Sequence, residues 1–329
     1  MAQTFTVQDA EELAVVERGG FVESRHAGSA IVLSPAGDVV TRLGDPDATI
    51  LPRSSLKPLQ AVAVVTAGAA LEGEHLALAT ASHAGTDRHV ALVRDVLSAA
   101  GLTEDHLACP ASRPSDTATR DAMVREHLEP AAIRHNCSGK HAAMLAACVA
   151  TGWDVAGYLD PAHPLQTHIR EVVERLTGEK IAATVIDGCG APVHALPLAS
   201  LARGIHRIGT SSERSPFALH RVAGALVRAV RENPWVIDGP GGGDTMAIER
   251  FGVFSKLGAE GVQIMVAPDG TTVALKMLDG SLRAAPLVAL QLLANAGALP
   301  PNEVADAAAH PSFAVQGGGR EVGRIRATV

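Results

Sequence analysis

Strand-patterned segments lie at both ends of this chain, and helix-patterned segments fill most of its middle. This distribution is a strong constraint, because a short strand must find neighbours for its backbone N–H and C=O groups. Near the start, residues 20–26 and 29–33 read as the two arms of a hairpin, and Ser34-Pro35-Ala36-Gly37-Asp38 as a turn into Val39-Val40-Thr41. Near the end, residues 253–256, 261–267 and 272–277 are strand-like, Pro268-Asp269-Gly270-Thr271 is a hairpin turn, and residues 321–325 carry a late strand signal. Between them, residues 74–80, 88–100, 118–127, 139–149, 168–176, 197–203 and 216–231 have helical periodicity, and 286–296 forms a last helix with Gly297 as its C-cap. The economical fold is α/β: an antiparallel sheet from both chain ends, flanking helices and an inserted helical lobe. We expect one two-lobed domain over 1–329, with a sheet lobe at about 1–55 and 250–329 and a helical lobe at about 56–249.

Composition removes several classes of function. A net charge of −7 offers no basic surface to nucleic acid, and 3% aromatic residues with one tyrosine, Tyr158, give no base-stacking platform. Residues 1–18 carry Asp9, Glu11, Glu12 and Glu17 where an export signal would need an apolar run. The apolar stretches at 61–70 and 284–296 are too short to span a bilayer. The expectation is a cytoplasmic protein with a small-molecule substrate and no nucleic-acid or membrane partner. Its four cysteines, Cys109, Cys137, Cys148 and Cys189, are then expected as thiols or metal ligands.

The chemistry-bearing stretch is Leu51-Pro52-Arg53-Ser54-Ser55-Leu56-Lys57-Pro58-Leu59-Gln60, which opens the apolar run at 61–70. Ser54 and Lys57 are three positions apart and share one face of the first helical turn. A serine beside a lysine is a workable nucleophile and base when the amine is desolvated, which an apolar helix entering the interior supplies. Taken alone, Ser-x-x-Lys also describes an N-cap serine and a surface lysine.

Three further groups join it. Ser82-His83 ends an apolar helix, where a polar C-terminal turn is the plainer reading. Lys256 lies in a strand-like run two residues before Gly258, which suits amine-assisted catalysis or carboxylate binding; an edge-strand lysine in solvent fits the same pattern. Asn136-Cys137-Ser138-Gly139-Lys140-His141 and Asp187-Gly188-Cys189-Gly190-Ala191-Pro192 supply two thiols and nitrogen donors, a set suited to zinc, although lysine must be neutral to bind. Two buried cysteines with an N-cap serine are the alternative. The loop Gly239-Pro240-Gly241-Gly242-Gly243-Asp244-Thr245 lacks the Gly-Lys-Ser/Thr ending of a phosphate loop, so no nucleotide is implied.

In this order, these segments together with Val22-Glu23-Ser24-Arg25-His26-Ala27-Gly28 and Lys256-Leu257-Gly258-Ala259-Glu260-Gly261 resemble the Rhizobium-type, class 3, L-asparaginases (asparaginase II) over almost the whole chain. The resemblance implies a fold similar to serine β-lactamases and serine-type glutaminases, and a homodimer. It implies two serine–lysine tandems, Ser54 with Lys57 and Ser82 with Lys256, and zinc held by Cys137, Lys140 and Cys189 with Asp187 and His141 nearby. The expected reaction is hydrolysis of L-asparagine to L-aspartate and ammonia, with Arg53, His141 and Asp187 on the substrate side and zinc not essential to the chemistry. A β-lactamase-like, D-amino peptidase-like or glutaminase acyl-serine hydrolase is the alternative.

Overall fold

The computed structural model describes residues 3–310 and 313–329. Its strands are β1 (Glu11–Arg18), β2 (Phe21–Leu33), β3 (Val39–Leu43), β4 (Thr49–Ile50), β5 (Ala183–Ile186), β6 (Pro192–Pro197), β7 (Phe254–Gly258), β8 (Val262–Val266), β9 (Thr272–Met277), β10 (Ala314–Gly317) and β11 (Arg320–Ala327). Its α-helices are α1 (Lys57–Thr66), α2 (Gly73–Thr80), α3 (Asp87–Ala99), α4 (Thr117–Arg125), α5 (Ser138–Thr151), α6 (Pro164–Thr177), α7 (Leu198–Gly209), α8 (Ala218–Glu232), α9 (Pro234–Asp238), α10 (Gly243–Phe251), α11 (Ala285–Asn295) and α12 (Pro301–Ala307).

The main sheet runs β10-β11-β1-β2-β9-β8-β7, and β3 pairs with the second half of β2. Every pairing is antiparallel, and the strands come from the two ends of the chain. Period-2 alternation sends the side chains to two separate cores. Ala30 and Val32 of β2, with Val273 and Leu275 of β9, face a cluster closed by Leu287, Val288 and Leu290 of α11. Ile31 and Leu33, with Ala274 and Ile264, face the other way, onto Leu59 and Val62 of α1 and Leu201 and Ile205 of α7. With helices on both faces, strands β8 and β9 are buried along their whole length.

The N-terminal hairpin differs from the sequence expectation. The two short arms expected at 20–26 and 29–33 are one continuous 13-residue strand, β2, and its hairpin partner is β1. The turn is Gly19-Gly20, with φ of +55° and +82°, the two-residue glycine turn whose twist matches antiparallel strands. Gly28 does not break β2: a Cβ there would lie 2.3 Å from the Lys276 carbonyl oxygen, so glycine lets β2 and β9 approach. A second, smaller sheet, β4-β6-β5, holds the Asp187–Gly190 turn between its two longer strands. No helix among the described residues is long and apolar enough to cross a membrane.

Candidate active site

Ser54 sits in a single 3-10 turn, Arg53–Leu56, that runs directly into α1, and the Lys57 N–H donates to the Ser54 carbonyl. Three residues per turn stack Ser54 and Lys57 on one side. The turn starts from Arg53 at φ +51°, an uncommon conformation for a residue with a side chain. Lys57 is 1% exposed; its Nζ donates to the Ala81 carbonyl at 2.5 Å and to Ser82 Oγ at 3.0 Å. Ser54 is half-buried, and its hydroxyl makes no hydrogen bond to a described residue. The Lys57 amine is therefore bonded to Ser82 and not to Ser54, which precedes it by one turn of the chain.

Ser82 is held by its neighbours. Its N–H donates to the Ile237 carbonyl at 2.9 Å, and the His83 N–H donates to the Asn136 carbonyl at 3.2 Å. His83 Nδ1 accepts from the Gly85 N–H, so its Nε2 carries the hydrogen donated to Ser138 Oγ at 2.9 Å, and Ser138 donates in turn to the Ile133 carbonyl. Burial, with the nearby His89 and Lys57, pushes the His83 pKa well below its usual value and keeps the ring neutral. His83 thus ties the Ser82 loop to the start of α5.

Lys256, on β7, is fully buried, which removes the reading of a solvated edge lysine. Its Nζ donates to the Leu257 carbonyl at 2.8 Å and lies 3.8 Å from Asp244 Oδ2; Ser82 is not its hydrogen-bond partner. Burial pushes the Lys256 pKa down to about 8; Lys57 adds to this, and Asp244, Asp238 and Cys137 oppose it. Two residues on, a Cβ at Gly258 would lie 2.4 Å from the Pro52 carbonyl oxygen, so this glycine lets β7 pass against the Ser54 turn.

The glycine loop before α10 also belongs to the site. A Cβ at Gly239 would meet Ala84 Cβ at 2.6 Å, and one at Gly242 would lie 2.4 Å from Asp238 Oδ2. These glycines seat the loop on the Ser82–Ala84 segment and leave room for the Asp238 carboxyl, which faces the N–H groups of Gly243 and Asp244. Burial first, then repulsion from Asp244, pushes the Asp238 pKa up to about 6. Sequence reasoning assigned neither aspartate a role, although both bracket the glycine run.

On the other side, Cys137, Lys140 and Cys189 come together, all nearly inaccessible to solvent. Lys140 Nζ donates to Cys189 Sγ at 3.1 Å, and the two thiols are in hydrogen-bond contact. The pair gives up its first proton readily: the Cys189 thiol supports a Cys137 thiolate, and Lys57, His135 and Lys140 help, so the Cys137 pKa falls well below that of a free thiol. The second proton is held, and the Cys189 pKa rises. The two sulfurs outweigh desolvation at Lys140 and raise its pKa. Among the described residues no group of three or more His, Cys, Asp or Glu is placed to hold a metal ion; here the third donor is lysine. Two thiolates and an amine fit a soft divalent cation with a coordination position left open, provided the metal displaces the lysine proton.

Two neighbours of this cluster have other partners. His141 Nδ1 accepts from the Tyr158 hydroxyl at 2.7 Å, Tyr158 accepts from the Ala108 N–H, and the buried His141 Nε2 has no partner among the described residues. Asp187 Oδ1 accepts from Arg53 Nε at 2.6 Å and from the Gly188 N–H at 2.8 Å, linking the cysteine turn to the serine turn. Arg53, with Glu260 and Lys276, lines an open depression of about 380 Å³.

The chain is similar to a probable glutaminase from Bacillus subtilis complexed with 6-diazo-5-oxo-L-norleucine, at 11% identity over 83% of this chain and 85% of that one, with a TM-score of 0.42. It is similar to a β-lactamase from Mycobacterium bovis at 14% identity over 82% and 94% of the two chains, TM-score 0.39, and to Mglu in its native form at 12% over 83% and 65%, TM-score 0.47. The chain spans between 59% and 67% of the length of the Mglu structures it matches. No curated protein sequence matches. The profile of the L-asparaginase II family matches residues 14–327, and the chain belongs to that family. Membership points to an amidohydrolase.

Proposed function

We propose that this amidohydrolase converts L-asparagine to L-aspartate and ammonia through an acyl-serine intermediate. The observation that carries the reading is the buried amine of Lys57, one turn from the unbonded Ser54 hydroxyl and 3.0 Å from Ser82. Ser54 Oγ attacks the side-chain amide carbon, and Lys57 accepts the hydroxyl proton. The C–N bond breaks, and the proton passes through Ser82 to the departing ammonia. Water then attacks the β-aspartyl ester and gives up a proton to an amine. Ser54 is released protonated. Lys256, its pKa pushed down to about 8 by burial, is an amine able to exchange protons near neutral pH. Backbone N–H groups beside Ser54 hold the oxyanion.

In this reading the Arg53 guanidinium, held in place by Asp187, meets the substrate α-carboxylate. His141, with its free Nε2, faces the same cluster. Cys137, Lys140 and Cys189 would hold zinc, which when bound would orient the substrate more than supply hydroxide, because two thiolates leave it weakly electrophilic. The exposed apolar Val185 and Ile186 on edge strand β5 offer a surface to a second subunit; light scattering at twice 33.9 kDa checks the homodimer.

The 3.0 Å Lys57–Ser82 hydrogen bond favours a second assignment, in which Ser82 is the nucleophile. Ammonia assays with L-asparagine, L-glutamine and D-asparagine on the unaltered enzyme, Ser54→Ala and Ser82→Ala test both. Asparagine turnover lost by a factor of at least about 10³ in Ser54→Ala, with partial activity in Ser82→Ala, supports the first assignment. The opposite order exchanges the serines, and no release by the unaltered enzyme refutes the substrate.

A further inference from the structure

Asp244 is 0% exposed, yet the proposed chemistry gives it no task. Its Oδ1 accepts from Ser255 Oγ at 2.6 Å and from Gln263 Nε2 at 2.9 Å, and its Oδ2 accepts from the Leu257 N–H at 2.7 Å. The donors at Ser255 and Leu257 flank Lys256, whose ammonium nitrogen lies 3.8 Å from the same Oδ2. A carboxylate in the interior is costly unless its lone pairs are filled, and here they are filled by the strand that carries the lysine. Ser255 also accepts from Gln263 Nε2 at 3.0 Å, so β7, β8 and the first turn of α10 close into one polar network.

We propose that Asp244 is the positioning residue of Lys256: by gripping Ser255 and Leu257 it fixes the strand on both sides of the lysine, and its charge holds the amine within ion-pair reach. A helix-start aspartate that merely braced β7 would need only its acceptor oxygens. Asp244 also brings a full negative charge within ion-pair reach of an otherwise desolvated cation. The groups facing Lys256 are Asp244 from α10, Asp238 from the end of α9, Lys57 from α1, and Cys137 at the start of α5. Asp244 opposes desolvation most, so its neutralisation moves the loss of the Lys256 proton to lower pH. The glycine-rich approach to α10 seats the end of α9, with Asp238, on the Ser82–Ala84 segment.

The inference rests on the amidohydrolase reading, and the test separates the two. Asp244→Asn keeps the shape and removes the charge. The buried Gln263 Oε1 has no partner, so a rotated Gln263 amide accepts from the introduced side-chain NH₂ and the variant is sterically acceptable. Turnover of L-asparagine is measured against pH for the unaltered enzyme and the variant. We expect kcat to fall about 10- to 100-fold, KM to stay within about threefold, and the inflection near pH 8 to move down by about one pH unit. The exchange variant Asp244→Asn/Gln263→Glu, which returns a carboxylate to the network from β8 and not from position 244, is expected to keep the shifted inflection.

Unchanged kcat and inflection in a folded Asp244→Asn protein overturn the proposal. So does failure of both variants to fold, which would assign Asp244 to the scaffold. No ammonia from the unaltered enzyme would instead remove the function reading on which the proposal stands.

Discussion

Two buried lysines, Lys140 on α5 and Lys256 on β7, have surroundings that act on them in opposite directions. Lys140 touches Cys189 at 3.1 Å with Cys137 alongside, and the sulfur charge raises its pKa in spite of complete burial. Lys256 lies 3.8 Å from Asp244, whose lone pairs are already taken by Ser255, Leu257 and Gln263, and burial wins, lowering its pKa to about 8. A buried amine is kept charged by an anion that is close and free to answer it. A carboxylate that is farther away and already bonded leaves the amine able to release its proton near neutrality. One lysine is suited to holding thiolates or a metal, the other to moving protons.

The largest test of this contrast is a pair of substitutions. Lys256→Met should lower kcat for asparagine by about 10³-fold, at a stability cost of ~3 kcal/mol from leaving Asp244 without its cation. Lys140→Met should lower turnover by no more than about tenfold. Equal losses in steady-state assays would erase the distinction. Next comes metal: Cys189→Ser should weaken zinc binding at least about 100-fold, read by elemental analysis after dialysis, because the site keeps one thiolate and an amine. Unchanged zinc content would place any metal elsewhere.

A pH profile sharpens the comparison further. The Lys256 amine is protonated below about pH 8 and neutral above it, so a step that uses it as a base strengthens as pH rises through that value. Lys140, with its pKa raised, should contribute no inflection in the same range. Gly258→Ala forces a Cβ to 2.4 Å from the Pro52 carbonyl and must move either β7 or the Ser54 turn, with an expected cost of ~1–3 kcal/mol in denaturant melts and a larger proportional loss in kcat than in KM. The smallest effect belongs to the surface: Arg94→Ala removes an exposed pair with Glu104 and should change stability by less than ~0.5 kcal/mol.

Much of this organisation was legible in the residues. The two-ended antiparallel sheet followed from strand patterning at both termini, and the Pro268–Thr271 turn joins β8 to β9 as read. The strand β1 was not legible, because Leu13–Val16 are all buried and give no alternation, while the acidic residues before them suggest solvent. Ala27 and Gly28 read as a break between two arms, whereas the glycine serves a close strand approach. At the site, local motifs marked Ser54, Lys57, Ser82, Lys256 and the cysteine pair. They could not show that the Lys57 amine reaches across to Ser82, since that distance depends on how α1 packs against the end of α2. Asp244 was hidden for the same reason: its meaning lies in contacts with strand β7, not in spacing along the chain.

The most direct test of the serine–lysine centre is mass spectrometry of acid-quenched enzyme during asparagine turnover, followed by peptide mapping. The account predicts a β-aspartyl adduct on the peptide containing Ser54, absent in Ser54→Ala. Turnover that proceeds with no adduct on Ser54 or Ser82 would contradict it.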